Sequence, residues 1–434
     1  MILANSLALP CGASLPNRLA KAAMTEGLAD TRGLPTPELV RLYRLWSKGG
    51  AGLLLSGNVH IDADHLERPG NVILDRNLTE SECTPFREWT QAATENGNHF
   101  WAQISHAGRQ TFAMINPRPK APSAVKLDLP GGQFGQPVAL ETSGIGAIIE
   151  GFVRAVRSCR ELGFTGVQIH AAHGYLISQF LSPRTNRRED EWGGSLENRA
   201  RLLTEVVRRS RTQVGADFPI SVKLNSADFQ KGGFAFEDSL AVVGWLEELG
   251  VDLIEISGGT YEQPRLLGIE GTEPADEPDV AQSTAAREAY FVDFARAMKE
   301  AVSVPLMVTG GFRSRAAMEH AVKSGGADVI GLGRPLCVET DGPARLLGGE
   351  AALTRFEDDL SLLPRALGFL TAIKTIRAIA GFATQYWFYA QLYALGRTGR
   401  ADPGMSVFKA WREVEATHKA WMARRRGWLA RRAG

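Results

Sequence analysis

Cysteine is scarce in this chain of 434 residues: there are four, Cys11, Cys83, Cys159 and Cys337, and no two stand in C-x-x-C spacing. That excludes a disulfide framework and the usual zinc or iron–sulfur ligand patterns. Runs of about 18 uncharged apolar residues are absent, so no spanning helix is expected. The N-terminal MILANSLALP lacks the basic region and long apolar core of a signal peptide. The net charge is only +1, too little for a global field that would gather nucleic acid or a membrane surface. No G-x-G-x-x-G follows the first predicted strand, so a nicotinamide cofactor would have to bind in some way other than on a Rossmann unit. What remains is ordinary for a globular protein, with 44% hydrophobic and 22% charged residues, and a cytoplasmic enzyme is the default expectation.

Short apolar runs alternate with longer amphipathic ones. Eight runs read as strands buried on both faces: 19–25, 52–58, 99–105, 165–170, 219–224, 252–257, 305–310 and 327–333. Between them lie helical patterns at Pro37–Lys48, Ser81–Asn96, Ile148–Leu162, Leu196–Val214, Phe236–Leu249, Ala285–Ala301 and Ser314–Ser324. Several stop at a glycine, as at Gly97, Gly163, Gly215 and Gly250. Eight β–α alternations make an α/β fold, a (β/α)8 TIM barrel over residues 1–345, with a helical extension over 346–434. Two stretches fall outside either period, 111–143 and 262–284, and loops of that length in a compact domain are usually functional.

The segment from Ile169 to Arg201 carries the chemistry. His170, His173 and Tyr175 leave the C-terminal end of the fourth strand together, the end at which parallel α/β folds build active sites. Two histidines three apart also suit a metal, but no third ligand follows at a usual spacing, and no metal is expected. A buried structural pair is the plainer alternative. A lysine inside the fifth strand, Lys223, is unusual and points to function. The seventh and eighth strands end in Gly310-Gly311 and Gly333-Arg334, the quadrant in which TIM barrels bind phosphate through loop amides. Arg184, Arg187 and Arg188 suggest either a phosphate site or, as the plainer reading, salt bridges with Glu189, Asp190 and Glu191.

The stretch IHAAHGYLISQFLSPRTNRREDEWGGSLENR resembles the signature of the old yellow enzyme family, the FMN-dependent NAD(P)H oxidoreductases, and matching segments recur from about Asn17 to Leu336. The resemblance implies FMN as cofactor and NADH or NADPH as reductant. It implies that His170 and His173 hold the carbonyl oxygen of an α,β-unsaturated substrate and that Tyr175 donates the proton. A tyrosine of ordinary pKa near 10 suits that role. It sets Ala23, Met24 and Thr25 against the flavin ring, Thr25 at the C4 carbonyl side. Gln103 matches a position that faces the pyrimidine edge, and Lys223 one beside N1 and the C2 oxygen. Gly310, Gly311, Gly333 and Arg334 match the phosphate site. Gly57 reads either as a place where a flat ligand approaches the backbone or as a plain turn. His106 and Arg109 are expected to shape their loop, and 111–143 to form a β-hairpin cap. The substrate class is a small enone. The same fold with another physiological reaction, demethylation or catabolism of an aromatic compound, is the alternative.

The last hundred residues or so lie outside the resemblance. Leu360–Leu395 reads as helical, apolar and aromatic. Trp411–Gly434 holds seven Lys and Arg against Glu413 and Glu415, a net +5. Three readings compete: docking on the barrel or on a neighbouring subunit, a lid over the substrate, and a peripheral, membrane-surface helix. A homo-oligomer is left open, and a basic tail alone does not indicate nucleic acid.

Overall fold

The computed structural model describes residues 1–434 except 128, 130–131, 258–293, 364–372 and 434. Eight parallel strands form its centre: β1 (Leu19–Lys21), β2 (Leu53–His60), β3 (His99–Ser105), β4 (Gly166–Ala171), β5 (Ile220–Asn225), β6 (Leu253–Ser257), β7 (Leu306–Thr309) and β8 (Val329–Leu332). Each pairs with its neighbours in sequence order, and β1 pairs with both β8 and β2, which closes the barrel. The helices around it are α1 (Pro37–Lys48), α2 (Glu80–Thr94), α3 (Thr142–Glu161), α4 (Leu176–Leu181), α5 (Leu196–Val214), α6 (Phe236–Glu248), α7 (Arg315–Lys323) and α8 (Gly342–Leu347).

The local causes are conventional. Thr36 caps α1 by accepting the amide of Leu39, with Pro37 in the first turn, where its missing N–H costs nothing. Ser195 caps α5 in the same way, and Gly215 ends that helix at φ +76°. One face of α1, with Leu39, Leu42, Tyr43 and Trp46, is buried against the barrel.

Side chains alternate across each barrel strand, so every second residue points inward. At the N-terminal end the interior is apolar: Leu53, Leu55, Trp101, Leu253, Met307 and Val329 pack together under Leu9 and Leu15. Leu15 belongs to a two-stranded antiparallel ribbon, Leu7–Ala8 with Ser14–Leu15. Two residues further along the strands the inward positions become polar, with Gln103, Gln168, Lys223 and Glu255. The barrel is plugged at one end and chemically equipped at the other.

The strand predicted over 19–25 pairs only over Leu19–Lys21, and after the Ala22 amide bonds Leu332 the chain leaves the ladder toward Glu67 and Cys337. The expected hairpin cap is instead a pair of short parallel strands, Lys120–Ala121 beside Val138–Ala139. The linking segment is long enough to bring the second strand back in the same direction, and α3 begins at Thr142 rather than near Ile148. The loop 262–284 and the start of the helix expected over 285–301 lie outside the described residues, as do parts of 111–143 and of 360–395.

The extension contains two long helices, α9 (Lys374–Thr398) and α10 (Val407–Ala433), packed on each other and on the barrel. Arg41 of α1 donates to the Arg397 carbonyl at 3.0 Å at the end of α9, and Gly399 closes α9 in the left-handed region. On α10, Val407, Ala410, Val414, His418, Trp421, Met422 and Arg425 are buried, a stripe of helical period. Trp421 Nε1 donates to the Ala29 carbonyl at 3.0 Å, and Arg425 to the carbonyls of Thr31 and Ala63. Of the three readings of this segment, these contacts bear on docking against the chain's own barrel. No described helix is long and apolar enough to cross a membrane.

Candidate active site

β4 delivers His170, and the chain then turns sharply through His173 and Gly174, at φ +61° and +76°. A histidine in that region is strained and persists only where its surroundings over-determine it. Here they do. The His173 amide donates to Asn225 Oδ1 at 3.1 Å, its carbonyl accepts from Gln110 Nε2 at 2.9 Å, and its Nε2 meets Ser257 Oγ at 2.5 Å. The turn brings three rings together: His170 lies 5.1 Å from His173 and 4.8 Å from Tyr175, both edge to face. The backbone at Tyr175 starts α4.

The protonation of His170 follows from one bond. Its Nδ1 accepts the amide of Ala172 at 3.2 Å, so in the neutral ring the proton sits on Nε2. Burial, with His173 and Lys223 nearby, holds the His170 pKa well below 6.5, and burial and Lys223 do the same to His173. Both rings are therefore neutral at neutral pH, and His170 carries its proton on Nε2.

Lys223 stands beside His170 in register, its Nζ 2.8 Å from Glu255 Oε1, an ion contact whose angle falls outside hydrogen-bond geometry. Glu255 also accepts from Gln168 Nε2 at 2.9 Å, and Gln168 Oε1 accepts from Gln103 Nε2 at 2.7 Å. A buried chain thus runs Gln103–Gln168–Glu255–Lys223 around half the barrel. It takes one of the two amide hydrogens of Gln103 and leaves the other, with the carbonyl oxygen, for a further partner.

Thr25 donates its hydroxyl proton to Glu67 Oε2 at 2.8 Å and takes a weaker bond from Asn58 Nδ2. Glu67 is clamped by Arg68, whose guanidinium stacks 3.9 Å from the ring of Tyr389 on α9. Gly57 packs against the loop after β1. A Cβ there would lie 2.5 Å from the Met24 carbonyl, and its amide donates to Glu26 Oε1 at 2.8 Å, so the space serves the loop after β1.

Gly310 and Gly311, which follow β7, take φ +144° and +71°, the first in practice a glycine conformation and the second one that favours glycine. Gly333 begins the short helix Arg334–Cys337, and a Cβ there would meet nothing nearer than Met24 Sδ at 3.8 Å. Arg334 lies 5.8 Å from the Phe388 ring. Met24 Sδ touches Cys337 Sγ at 3.5 Å, and Ala23 flanks the barrel's apolar interior. The predicted residues thus lie inside the barrel strands (Gly57, Gln103, His170, Lys223) or where the chain leaves them (Ala23, Met24, Thr25, His173, Tyr175, Gly310, Gly311, Gly333, Arg334).

Sequence reading missed Lys21. It is fully buried outside the barrel, donating to the Leu55 carbonyl at 2.6 Å and to Tyr43 Oη at 3.2 Å, with Nζ 4.3 Å from the Trp46 ring. Burial, partly offset by Glu26, lowers its pKa to about 8. The signal that singled out Lys223, a lysine inside an apolar strand, applied equally to Lys21, and a glutamate between Ile254 and Ile256 applied to Glu255.

Among the described residues one group, Asp62, His65 and His106, has ligand atoms close enough to share a cation. Its hydrogens argue against one. His65 Nε2 accepts the Lys120 amide, so its Nδ1 carries the proton that goes to Asp62 at 2.9 Å. His106 Nδ1 accepts the Gly108 amide, so its Nε2–H faces Asp62. Neither ring keeps a lone pair for a metal. The trio clasps three loops, which is the shaping role expected of His106.

Fit to a flavin mononucleotide rests on donor chemistry. The polar end of the barrel offers a cation at Lys223 and a neutral N–H donor at His170, with the neutral ring of His173 beside it. The β7–β8 end offers glycine turns, the Arg334 guanidinium, and Thr309 Oγ1, buried with no partner among the described residues. An isoalloxazine edge and a phosphate need that combination.

The sequence comparisons agree. A model of the NADH:flavin oxidoreductase / NADH oxidase family matches residues 12–351. The NADH-dependent flavin oxidoreductase iliE of Neonectria sp. (strain DH2) is 39% identical over 348 residues, covering 76% of this chain and 45% of that protein. The chain thus spans less than half of that relative. The NADH-dependent flavin oxidoreductase iccE of Talaromyces variabilis is 33% identical over 415 residues, 92% of this chain and 99% of that protein, a span that runs past residue 351 into the extension. Among solved structures, a 2-naphthoyl-CoA reductase in complex with 2-naphthoyl-CoA superposes with TM-score 0.72 at 26% identity over 81% of this chain and 53% of that one. The old yellow enzyme homologue from Zymomonas mobilis does so with TM-score 0.66 at 26% identity over 81% and 94%.

Proposed function

The chain belongs to the NADH:flavin oxidoreductase / NADH oxidase family, whose members bind FMN and use NADH or NADPH, and from that premise we propose that it reduces the activated C=C bond of an α,β-unsaturated carbonyl compound with Tyr175 as proton donor. FMN, when bound, supplies the hydride relay between the nicotinamide and the alkene. The chain's own residues supply the rest. His170 Nε2–H, together with His173, binds the carbonyl oxygen and draws electron density from the alkene, which makes the β-carbon receptive to hydride. Tyr175 delivers its phenolic proton to the α-carbon. Lys223 stabilises negative charge at the pyrimidine end, and as an ammonium it does so as a point charge. Gly310, Gly311, Gly333 and Arg334 hold the phosphate.

The observation that carries this reading is the tautomer of His170: a neutral ring whose Nε2–H has no partner among the described residues, with the Tyr175 ring 4.8 Å away. The test is an anaerobic visible spectrum of the FMN-loaded protein with NADH or NADPH, then cyclohexenone. The flavin band is expected to bleach with the nucleotide and return with the enone. Bleaching without return would reject enone reduction and keep the flavin. The likeness to the 2-naphthoyl-CoA reductase favours a second reading, reduction or catabolism of an aromatic compound on the same site.

A further inference from the structure

Beside the catalytic turn lies a cavity of about 330 Å³ whose walls carry three guanidinium groups, Arg109, Arg184 and Arg187. A narrower recess shares Arg109 and Arg184 with it and reaches inward to Gly174, in the turn that presents His173 and Tyr175, and to Ser178 of α4. The cavity and the reaction centre are therefore neighbours along one path.

The arginines are held differently. Arg109 is buried and donates to the carbonyls of Val125 and Lys126 in the cap segment. Arg184 donates to the Lys231 carbonyl at 2.8 Å. Arg187 is anchored through its backbone amide on Ser123 Oγ at 2.9 Å. Salt bridges with the following acids were the plainer expectation for this run. Only Arg188 makes one, to Asp190, and among the described residues no carboxylate pairs with Arg184 or Arg187. The acid at the recess is Asp228, which accepts from Asn225 Nδ2 and the Phe234 amide, its pKa pushed up by burial.

Asp228 faces Arg109 in the recess, so the charge without a carboxylate among the described residues is that of Arg184 and Arg187, and like charges at one cavity repel unless an anion sits between them. Guanidinium forks match phosphate oxygens bidentately, and 330 Å³ is at the lower bound of small-ligand sites. We propose that this cavity binds the phosphate or diphosphate group of a ligand whose reactive end lies at His170 and His173, with Arg184 and Arg187 as affinity-determining contacts. The inference rests on the proposed function for the identity of the reactive end. The shared chemistry has two sources, the diphosphate of the pyridine nucleotide or the phosphate tail of an acyl-CoA substrate.

The test compares the FMN-loaded wild type with Arg184→Gln/Arg187→Gln, both exposed positions, and with Arg184→Lys/Arg187→Lys, which keeps the charge. Calorimetric titration with sodium pyrophosphate should show binding in the wild type, about tenfold weaker in the glutamine variant and largely restored with lysine. Anaerobic titrations then give apparent Kd values for NADH and NADPH from bleaching, and for crotonyl-CoA and the uncharged cyclohexenone from reoxidation. A tenfold rise for the nucleotides relative to cyclohexenone assigns the site to the nucleotide; the same rise for crotonyl-CoA alone assigns it to the substrate. Equal shifts for charged and uncharged ligands, no shift for either charged ligand, or pyrophosphate affinity indifferent to the variants would overturn the proposal. Failure of the wild-type flavin to bleach with either nucleotide would instead defeat the proposed function, and the pyrophosphate titration would still report on the cavity.

Discussion

Thr25 and Glu67, 42 residues apart, are joined by a 2.8 Å hydrogen bond in which the threonine hydroxyl is the donor. Burial alone would raise the Glu67 pKa, but the Arg68 guanidinium and the bonds from Arg68 and Thr25 outweigh it and hold the carboxyl below its usual range. The threonine proton is therefore committed to the carboxylate that Arg68, placed over the Tyr389 ring, ties to the C-terminal helices.

Glu67→Ala should free that proton, whereas glutamine would still accept it. With Thr25 able to donate toward the flavin, and Arg68 no longer neutralised, the reduced cofactor is favoured. The two-electron midpoint potential should rise by about 30 mV, equivalent to about 1.4 kcal/mol. Dye-coupled potentiometry of the FMN-loaded variant measures it; an unchanged or lower potential rejects the coupling.

Tyr175→Phe removes only the phenolic oxygen from a ring that is otherwise packed. Reoxidation by cyclohexenone should slow by about a hundredfold or more, while bleaching by NADH stays nearly intact. Rapid-mixing kinetics of the two halves separate these effects. Equal loss in both halves would remove Tyr175 from the proton-donor role.

Lys223→Met leaves Glu255 buried without its cation, which should cost about 3–5 kcal/mol of stability. Adding Glu255→Gln should restore much of the thermal stability but not the retention of FMN, because the flavin partner is still missing. Melting curves and the 450 nm absorbance of the purified variants give the two readouts. Joint recovery would mean that Lys223 acts only as a structural counter-ion.

Acid should destabilise the protein through its histidines. Burial, aided or opposed by neighbouring charges, lowers His60 and His418 to about 3 and His106 to about 4, and holds His170 and His173 well below 6.5. The unfolded chain then binds more protons below pH 6.5, so stability is present above that pH and is lost as pH falls toward these folded values. Each unit of depression corresponds to about 1.4 kcal/mol per group. Melting temperatures should be level between pH 7 and 8 and fall steadily from pH 6.5 to 4.5; a maximum near pH 5 would contradict the assignment.

Trp421→Ala empties the contact between α10 and the loop after β1, where the indole is buried against Leu66 and Ile73 and bonds the Ala29 carbonyl. The loss should be about 3–5 kcal/mol, and limited proteolysis should cut between α9 and α10 first. Wild-type resistance in the variant would show that α10 is held elsewhere.

The barrel was legible because β–α alternation is a local property. Runs such as PISVKL and DLIEIS need only their own composition to read as buried strands, and His170, His173 and Tyr175 need only to follow one of them to be placed at its catalytic end. Boundaries were less legible. β1 ends at Lys21 because Thr25 is drawn to Glu67 and Met24 to Cys337, partners that no window around residue 22 contains. The cap pairs in parallel, Lys120 with Val138 and Ala121 with Ala139, a direction that the composition of either short strand does not carry.

The amino-acid sequence by itself determined which groups could do chemistry and at which strand ends they would stand, since residue type and periodicity are carried by the chain alone. Tertiary structure decided where each proton points: the Thr25 hydroxyl to Glu67, the Gln103 amide to Gln168, the His170 proton onto Nε2. It also decided that the extension docks on the barrel and that Arg184 and Arg187 face a cavity while Arg188 takes the nearby acid. Hydrogen bonds reach only about 3 Å, so each of these choices depends on which distant segment folding brings within that reach.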